Sequence, residues 1–322
     1  MQNLLVSVLI PCYNVSEYVG KAIQSILDQT YTNLEILVID DASTDDTLSK
    51  IQSFNDNRIR VIEFKDNTKK IGAVNEVLVE AKGDLICFQD SDDWSSNSRI
   101  EKQVEKFMQD PTLGICFTNY QYLNKKDPVF KKIAISDEEL KDEFLSFGNR
   151  KEISSFPTIC ATMMVRKEVI DKIGGYHPYF SGRVAEDIHW IFRILKLYKG
   201  VTLEDILYYI NQNERSLTGL QFMGKNAKAA YSWQLLAKII YKDIFENTDV
   251  LDSKHSPLLK ELELEACEEA LVDNIQRCIS TQVSYRKSYS YRIGNFILLP
   301  IRIFKGIITR VLHSLLCYVL FF

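Results

Sequence analysis

Three carboxylate groupings in this 322-residue chain have the residue types and spacing for chemistry: Asp40-Asp41, Asp90-Ser91-Asp92-Asp93 and Glu186-Asp187. The second lies in Phe88-Gln-Asp-Ser-Asp-Asp-Trp94. Two aspartates one residue apart on an extended loop can project toward one ion. Mg2+ or Mn2+ favours such hard oxygen ligands when phosphate oxygens supply the others. Each grouping also has a plainer reading. Asp93 and Ser95 suit a turn that caps a helix, and Asp40 suits a carboxylate that caps its own loop. Asp187 at a helix start is stabilised by the positive end of the helix dipole.

The elements that must hold these groups follow from periodicity. Residues 5–10 form an apolar, β-branched run, followed by the loop Pro11-Cys-Tyr-Asn14 and by Val19, Ile23, Ile26 and Leu27 at helical spacing. The alternation continues with a strand at 34–39, a polar loop at 40–46, a helix at 47–54 and a strand at 60–64. A helix at 71–82, stopped by Gly83, then leads into a strand at 84–88. This order predicts an α/β protein with a doubly wound, mostly parallel sheet. In such sheets ligands sit beyond the carboxyl ends of the strands, where Asp40-Asp41 and Asp90–Asp93 fall. Further elements are expected at 100–108 (helix), 113–117 (strand), 159–165 (an ordered stretch), 167–173 and 186–198 (helices) and 206–210 (strand). The chain reads as helical from Gly219 onward.

Composition narrows the class. Hydrophobic residues make up 46% and charged residues 25%, the balance of an ordered globular chain. The net charge of −4 is too small to indicate a partner by itself, and no nucleic-acid partner is expected. Seven cysteines, none in metal-binding spacing, read as reduced core residues. The first residues, MQNLLVSVLIPCYN, read as a buried strand rather than an export signal.

Four blocks carry a family resemblance: Val6-Ser-Val-Leu-Ile-Pro-Cys-Tyr-Asn14, Gln29-Thr-Tyr-Thr-Asn-Leu-Glu35, Val38-Ile-Asp-Asp-Ala-Ser-Thr-Asp-Asp-Thr47 and Phe88–Trp94. In this order they resemble family 2 inverting glycosyltransferases of the A-type fold, which bind nucleotide-diphospho-sugars. The likeness continues through Met163-Met-Val-Arg166, Gly174-Gly-Tyr176 and Ala185-Glu-Asp187, covering about residues 4–218.

The resemblance implies a catalytic domain over 1–218, with nucleotide-sugar binding in about 1–120 and the acceptor side in 121–218. It implies that Pro11 and Tyr13 line the base pocket and that Asp41 bonds the nucleobase, usually uracil. Asp90 and Ser91 would lie on the donor, and Asp92, with Asp90, would hold Mn2+ or Mg2+. Asp187 would be the general base, with Glu186, Trp94, His189 and Arg215 toward the acceptor. The family's usual arginine before Asn75 is replaced by Val74, and Lys69, with Lys70 beside it, is expected to contact phosphate instead. The Gln-x-x-Arg-Trp signature of processive synthases is absent. Transfer of one sugar to a glycan acceptor is therefore expected. A sugar nucleotidyltransferase, or a non-catalytic binding module, are the competing classes.

Residues 219–322 are expected to form a helical extension. From Asn274 to Phe322 there are seven Arg or Lys and no Asp or Glu. If Pro300 opens a helix, Arg302, Lys305 and Arg310 share a polar face, with Ile301, Phe304, Ile308 and Leu312 among the apolar remainder. Residues 286–322 thus read as a segment lying on a membrane surface, which predicts a cytoplasmic protein held at the inner face of the cell membrane, with a lipid-linked acceptor. Packing of this segment on the protein or on a second subunit, as in a homo-oligomer, is the alternative.

Overall fold

The computed structural model describes residues 3–123, 160–181, 183, 186–211 and 227–289. The chain divides into two compact units, Met1–Gly219 and Leu220–Phe322.

The first unit is built on eight strands: β1 (Val6–Cys12), β2 (Leu34–Asp40), β3 (Ile59–Glu63), β4 (Leu85–Phe88), β5 (Trp94–Ser95), β6 (Leu113–Tyr122), β7 (Met164–Arg166) and β8 (Lys199–Ile210). They form one sheet in the order β3-β2-β1-β4-β7-β6-β8-β5. β1 runs parallel to β2 and β4, β2 parallel to β3, and β6 parallel to β8. β7 is antiparallel to both β4 and β6, and β5 is antiparallel to β8. The mostly parallel sheet expected from the alternation is present, with helices α1 (Val19–Leu27), α2 (Thr47–Gln52), α3 (Lys69–Glu80), α4 (Arg99–Gln109), α5 (Lys167–Ile173) and α6 (Glu186–Leu197).

Val6, Val8, Leu9 and Ile10 of β1 and Ile36 to Ile39 of β2 are fully buried, as continuous apolar runs must be in a parallel sheet covered on both faces. After β1 the chain proceeds through β2 and β3 on one side, then crosses to place β4 on the other. That reversal leaves a crevice beyond the ends of β1, β2 and β4. Gly83 fixes the entry to β4. A side chain there would collide with the backbone nitrogen and hydroxyl of Ser7, and the Gly83 N–H instead donates to Ser7 Oγ at 2.8 Å.

Several boundaries differ from the sequence reading. The strand expected at 206–210 is the end of a longer strand, β8, whose pairing with β6 contains register shifts that mask its alternation. The run expected to be ordered from 159 begins in the described residues as a 3-10 turn, Cys160–Thr162, before the three-residue β7. β5 is too short to leave a periodic signal.

In the second unit, α7 (Ala227–Phe245) packs on α8 (Ser256–Tyr289). Leu235, Leu236, Ile239 and Ile240 are buried on the first helix, and Leu262, Ala266 and Ala270 on the second. Lys238 pairs with Glu265 and Glu269 at 3.0 and 2.9 Å. Among the described residues no helix is long and apolar enough to cross a membrane. The basic stretch 290–322, including the helix expected after Pro300, lies outside the described residues.

Candidate active site

The crevice at the strand ends is lined first by the β1 and β2 loops. Asn14, with φ 53°, accepts the Thr44 N–H at 2.8 Å, and Val15 N–H reaches Thr47 Oγ1 at 2.8 Å, so the two loops are tied together. Pro11 lies at the end of β1, and Tyr13 is 48% exposed just beyond it. Asp40 caps its own loop through Ser43 N–H at 3.1 Å, while its second oxygen is buried without a partner. Asp41 accepts both the N–H and the hydroxyl of Thr68, at 2.8 and 3.0 Å, and so ties the β2 loop to the entrance of α3.

Beyond β4 the loop Gln89–Asp93 is organised by two residues that the motif reading did not single out. Tyr208 on β8 accepts the Asp90 N–H at 3.1 Å and Gln89 Nε2 at 3.3 Å, and is hydrogen-bonded to Asp93. Arg99 on α4 is wholly buried beneath the loop. Its donors reach Phe88 O, Ala161 O, Gln89 Oε1, Ser95 Oγ and Gln103 Oε1 at 2.9–3.3 Å. The guanidinium also lies 4.9 Å from the centre of the Tyr208 ring. One signal of Arg99 is visible in the sequence. Arg99 and Gln103, four apart, share the buried stripe of α4 with Ile100, Val104 and Phe107, an improbable place for polar side chains unless they bond each other and the backbone.

Asp93 accepts the Asn211 N–H at 2.8 Å. Burial, then the neighbouring charges of Asp90 and Asp92, push its carboxyl up to about 8. Such crowding of acids marks a position where a cation is favoured. The hard carboxylate oxygens of Asp90 and Asp92 suit Mn2+ or Mg2+. No three His, Cys, Asp or Glu among the described residues group to hold an ion by themselves. Ser91 is buried and bonded to Cys12 at the end of β1.

The cation already facing these acids is Lys70, not Lys69. Lys70 Nζ lies 3.1 Å from Asp90 Oδ1. Burial pulls its ammonium down, but Asp90, with Glu186 and Asp187 farther out, more than offsets this and holds it charged. Lys69, expected at the phosphate, is exposed at the first position of α3 with φ 63°, and that turn of the backbone separates the two side chains.

Glu186 and Asp187 open α6. Asp187 Oδ1 accepts the Ile188 N–H at 2.8 Å. Burial raises both carboxyls; Glu186, with Asp187 beside it, reaches about 7 despite the opposing charge of Lys70. His189 is only 6% exposed, stacked on Phe180 at 4.7 Å, and burial followed by Arg193 and His177 lowers it to about 3. It is a neutral imidazole within the packing. Trp94 carries Lys21 Nζ over its ring at 3.1 Å, so one indole face is already covered. Arg215 lies outside the described residues. The acids of the β4 loop and those of α6 thus act on one lysine.

Comparison with known proteins identifies the fold and the family. The chain is 36% identical over 135 residues to UDP-Glc:alpha-D-GlcNAc-diphosphoundecaprenol beta-1,3-glucosyltransferase WfgD of Escherichia coli, covering 42% of this chain and 53% of that one. The chain spans about half the length of such curated relatives. Among solved structures, S. aureus TarS 1-349 in complex with UDP-GlcNAc matches with a TM-score of 0.56 at 16% identity, covering 91% of this chain and 95% of that one. Mannosyltransferase PcManGT from Pyrobaculum calidifontis, in complex with GDP-Man and Mn2+, matches with a TM-score of 0.56 at 17% identity, covering 99% and 88%. Both likenesses show the fold, the A-type glycosyltransferase sheet. The family description Glycosyl transferase family 2 matches residues 7–174, more than half of the sequence, and the chain belongs to that family.

Proposed function

We propose that this chain is an inverting hexosyltransferase that moves one sugar from a nucleotide sugar, a UDP-hexose or UDP-N-acetylhexosamine, to a hydroxyl of a lipid-linked glycan in surface polysaccharide synthesis. The observation that carries the reading is Lys70, which pairs with Asp90 of the donor loop while the charges of Glu186 and Asp187 act on it. WfgD, by its name, uses UDP-Glc and a diphosphoundecaprenol-linked acceptor, and TarS was solved with UDP-GlcNAc. These support the donor and acceptor classes.

In the proposed reaction Pro11 and Tyr13 flank the base and the free oxygen of Asp41 accepts from it. Asp90 and Ser91 meet the ribose and diphosphate, and Lys70 holds phosphate charge. Asp90 and Asp92 would hold a divalent cation, which would neutralise charge on the diphosphate as a Lewis acid. Asp187 takes the proton of the acceptor hydroxyl as its oxygen attacks the anomeric carbon. The bond to the diphosphate breaks on the opposite face, the electron pair leaves with UDP, and the anomeric configuration inverts. The raised pKa of Asp187 makes it a better base than a solvated aspartate. Glu186, Trp94 and Arg215 are assigned to the acceptor side, with His189 packed against Phe180. The basic segment 286–322 is assigned to the cytoplasmic face of the membrane, where a lipid-linked acceptor resides.

Three outcomes are expected. Purified protein given UDP-sugars, Mn2+ and membrane lipid extract releases UDP, and Asp187→Asn lowers the rate by roughly a thousandfold while UDP binding stays near wild type. No release from any donor counts against transfer, and full activity in Asp187→Asn removes the base assignment. Transfer falls as pH drops through the raised pKa of Asp187, because the protonated carboxyl cannot accept a proton. In Lys70→Gln the loss of the opposing positive charge moves that acid limb of the kcat/KM profile up by on the order of one pH unit, whereas an unmoved limb contradicts the coupling of Lys70 to Asp187. Truncation after Ser290 shifts the protein from the membrane pellet to the supernatant; retention in the pellet refutes the surface segment.

A further inference from the structure

Lys70 and Asp187 stand on different helices, α3 and α6, and their relative placement is fixed by a third feature, the turn Ile173–Tyr176. Four successive carbonyls of this turn are each taken by a side chain. Arg193 of α6 donates to Ile173 O and to Gly175 O, the latter at 3.0 Å, and Trp190 Nε1 donates to Gly174 O at 2.9 Å. The fourth, Tyr176 O, receives Asn75 Nδ2 of α3 at 2.8 Å, while Tyr176 N–H donates to Asn75 Oδ1 at 2.8 Å. Asn75 thus holds both backbone groups of one residue, as a neighbouring strand would. Gly175 is what lets it approach, because a Cβ there would collide with Asn75 Oδ1.

The contacts close into a ring. From Tyr176 the path runs through its ring to Trp190, 4.6 Å away, then to Phe88 at 5.5 Å, at the end of β4. Asp90 follows two residues later and meets Lys70, five residues before Asn75 on α3. Asn75 is therefore the polar link that ties α6, with Asp187 in its first turn, to the helix whose lysine engages the donor loop.

We infer that Asn75 is a positioning residue for the transfer step, setting Asp187 against Lys70 and Asp90 without touching either substrate; this rests on the transferase reading above. A misplacement of about 1 Å at a reacting group can cost on the order of a hundredfold in rate. The test uses the full chain and two variants. Asn75→Ala removes both bonds. Asn75→Asp keeps an acceptor for Tyr176 N–H and loses the donor to Tyr176 O, with nearly unchanged volume. Both should lower kcat for UDP-sugar transfer by about tenfold or more, with the Kd for UDP within about twofold of wild type. Hydrogen exchange over 174–192 should become faster in both, and this reads the link without any reaction. Unchanged exchange overturns the inference whether or not the wild type transfers sugar, as does wild-type kcat in soluble Asn75→Asp. A parallel fall in UDP affinity and kcat also overturns it, as general damage to the fold. A wild type that releases no UDP, with exchange still faster in the variants, leaves the link standing and counts against the transferase reading and against the catalytic role inferred for Asn75.

Discussion

The guanidinium of Arg99 is the interaction on which the crevice depends. Among the described residues it has no carboxylate in direct contact; its five donors go to neutral oxygens on β4, the β4 loop, β5, α4 and the turn at Ala161. A guanidinium cannot shed its charge in a protein, so it is tolerated in the core only because every donor is satisfied. Tyr208 stands between this buried cation and the acids, its ring near Arg99 and its hydroxyl bonded to the backbone of Asp90 and to the side chain of Asp93. Three carboxylates crowd beyond the carboxyl end of β4, on a loop whose backbone and Gln89 side chain are held by Tyr208 and Arg99. Loss of Arg99 would leave several buried acceptors unpaired, at about 1–3 kcal/mol each.

The loop meets a second cation, Lys70, which pairs with Asp90 at 3.1 Å and also feels the charges of Glu186 and Asp187. The inner cation is locked and structural. Lys70 is half-buried and ends in the crevice, where an anionic diphosphate can share it. Burial raises the carboxyls of both Glu186 and Asp187, and the charge of Asp187 raises Glu186 further.

Much of this order was legible in the sequence, for a physical reason. Parallel strands buried on both faces leave continuous apolar runs, and acids cannot sit within them, so Asp40-Asp41 and Asp90–Asp93 had to fall at strand ends. What could not be read were contacts between distant segments. Tyr208 meets Asp90 across more than a hundred residues, and β8 is broken by shifts that hide its period. Lys69 and Lys70 are equivalent on paper; only the positive φ at Lys69 sends one to solvent and the other to Asp90. His189 stands between Ile188 and Trp190-Ile191-Phe192 on α6, an apolar run that agrees with its burial against Phe180, whereas the contact with Phe180 itself could not be read.

In the function proposed above, the acidic loop, held by Arg99 and faced by Lys70, receives a nucleoside diphosphate together with a divalent cation. Calorimetric titration of UDP into the purified chain, with Mn2+ present and again after chelation, addresses this most directly. Binding in Mn2+ that weakens by about tenfold or more on chelation is the expected result. Equal affinity in the two conditions, or no binding of UDP in either, would contradict it.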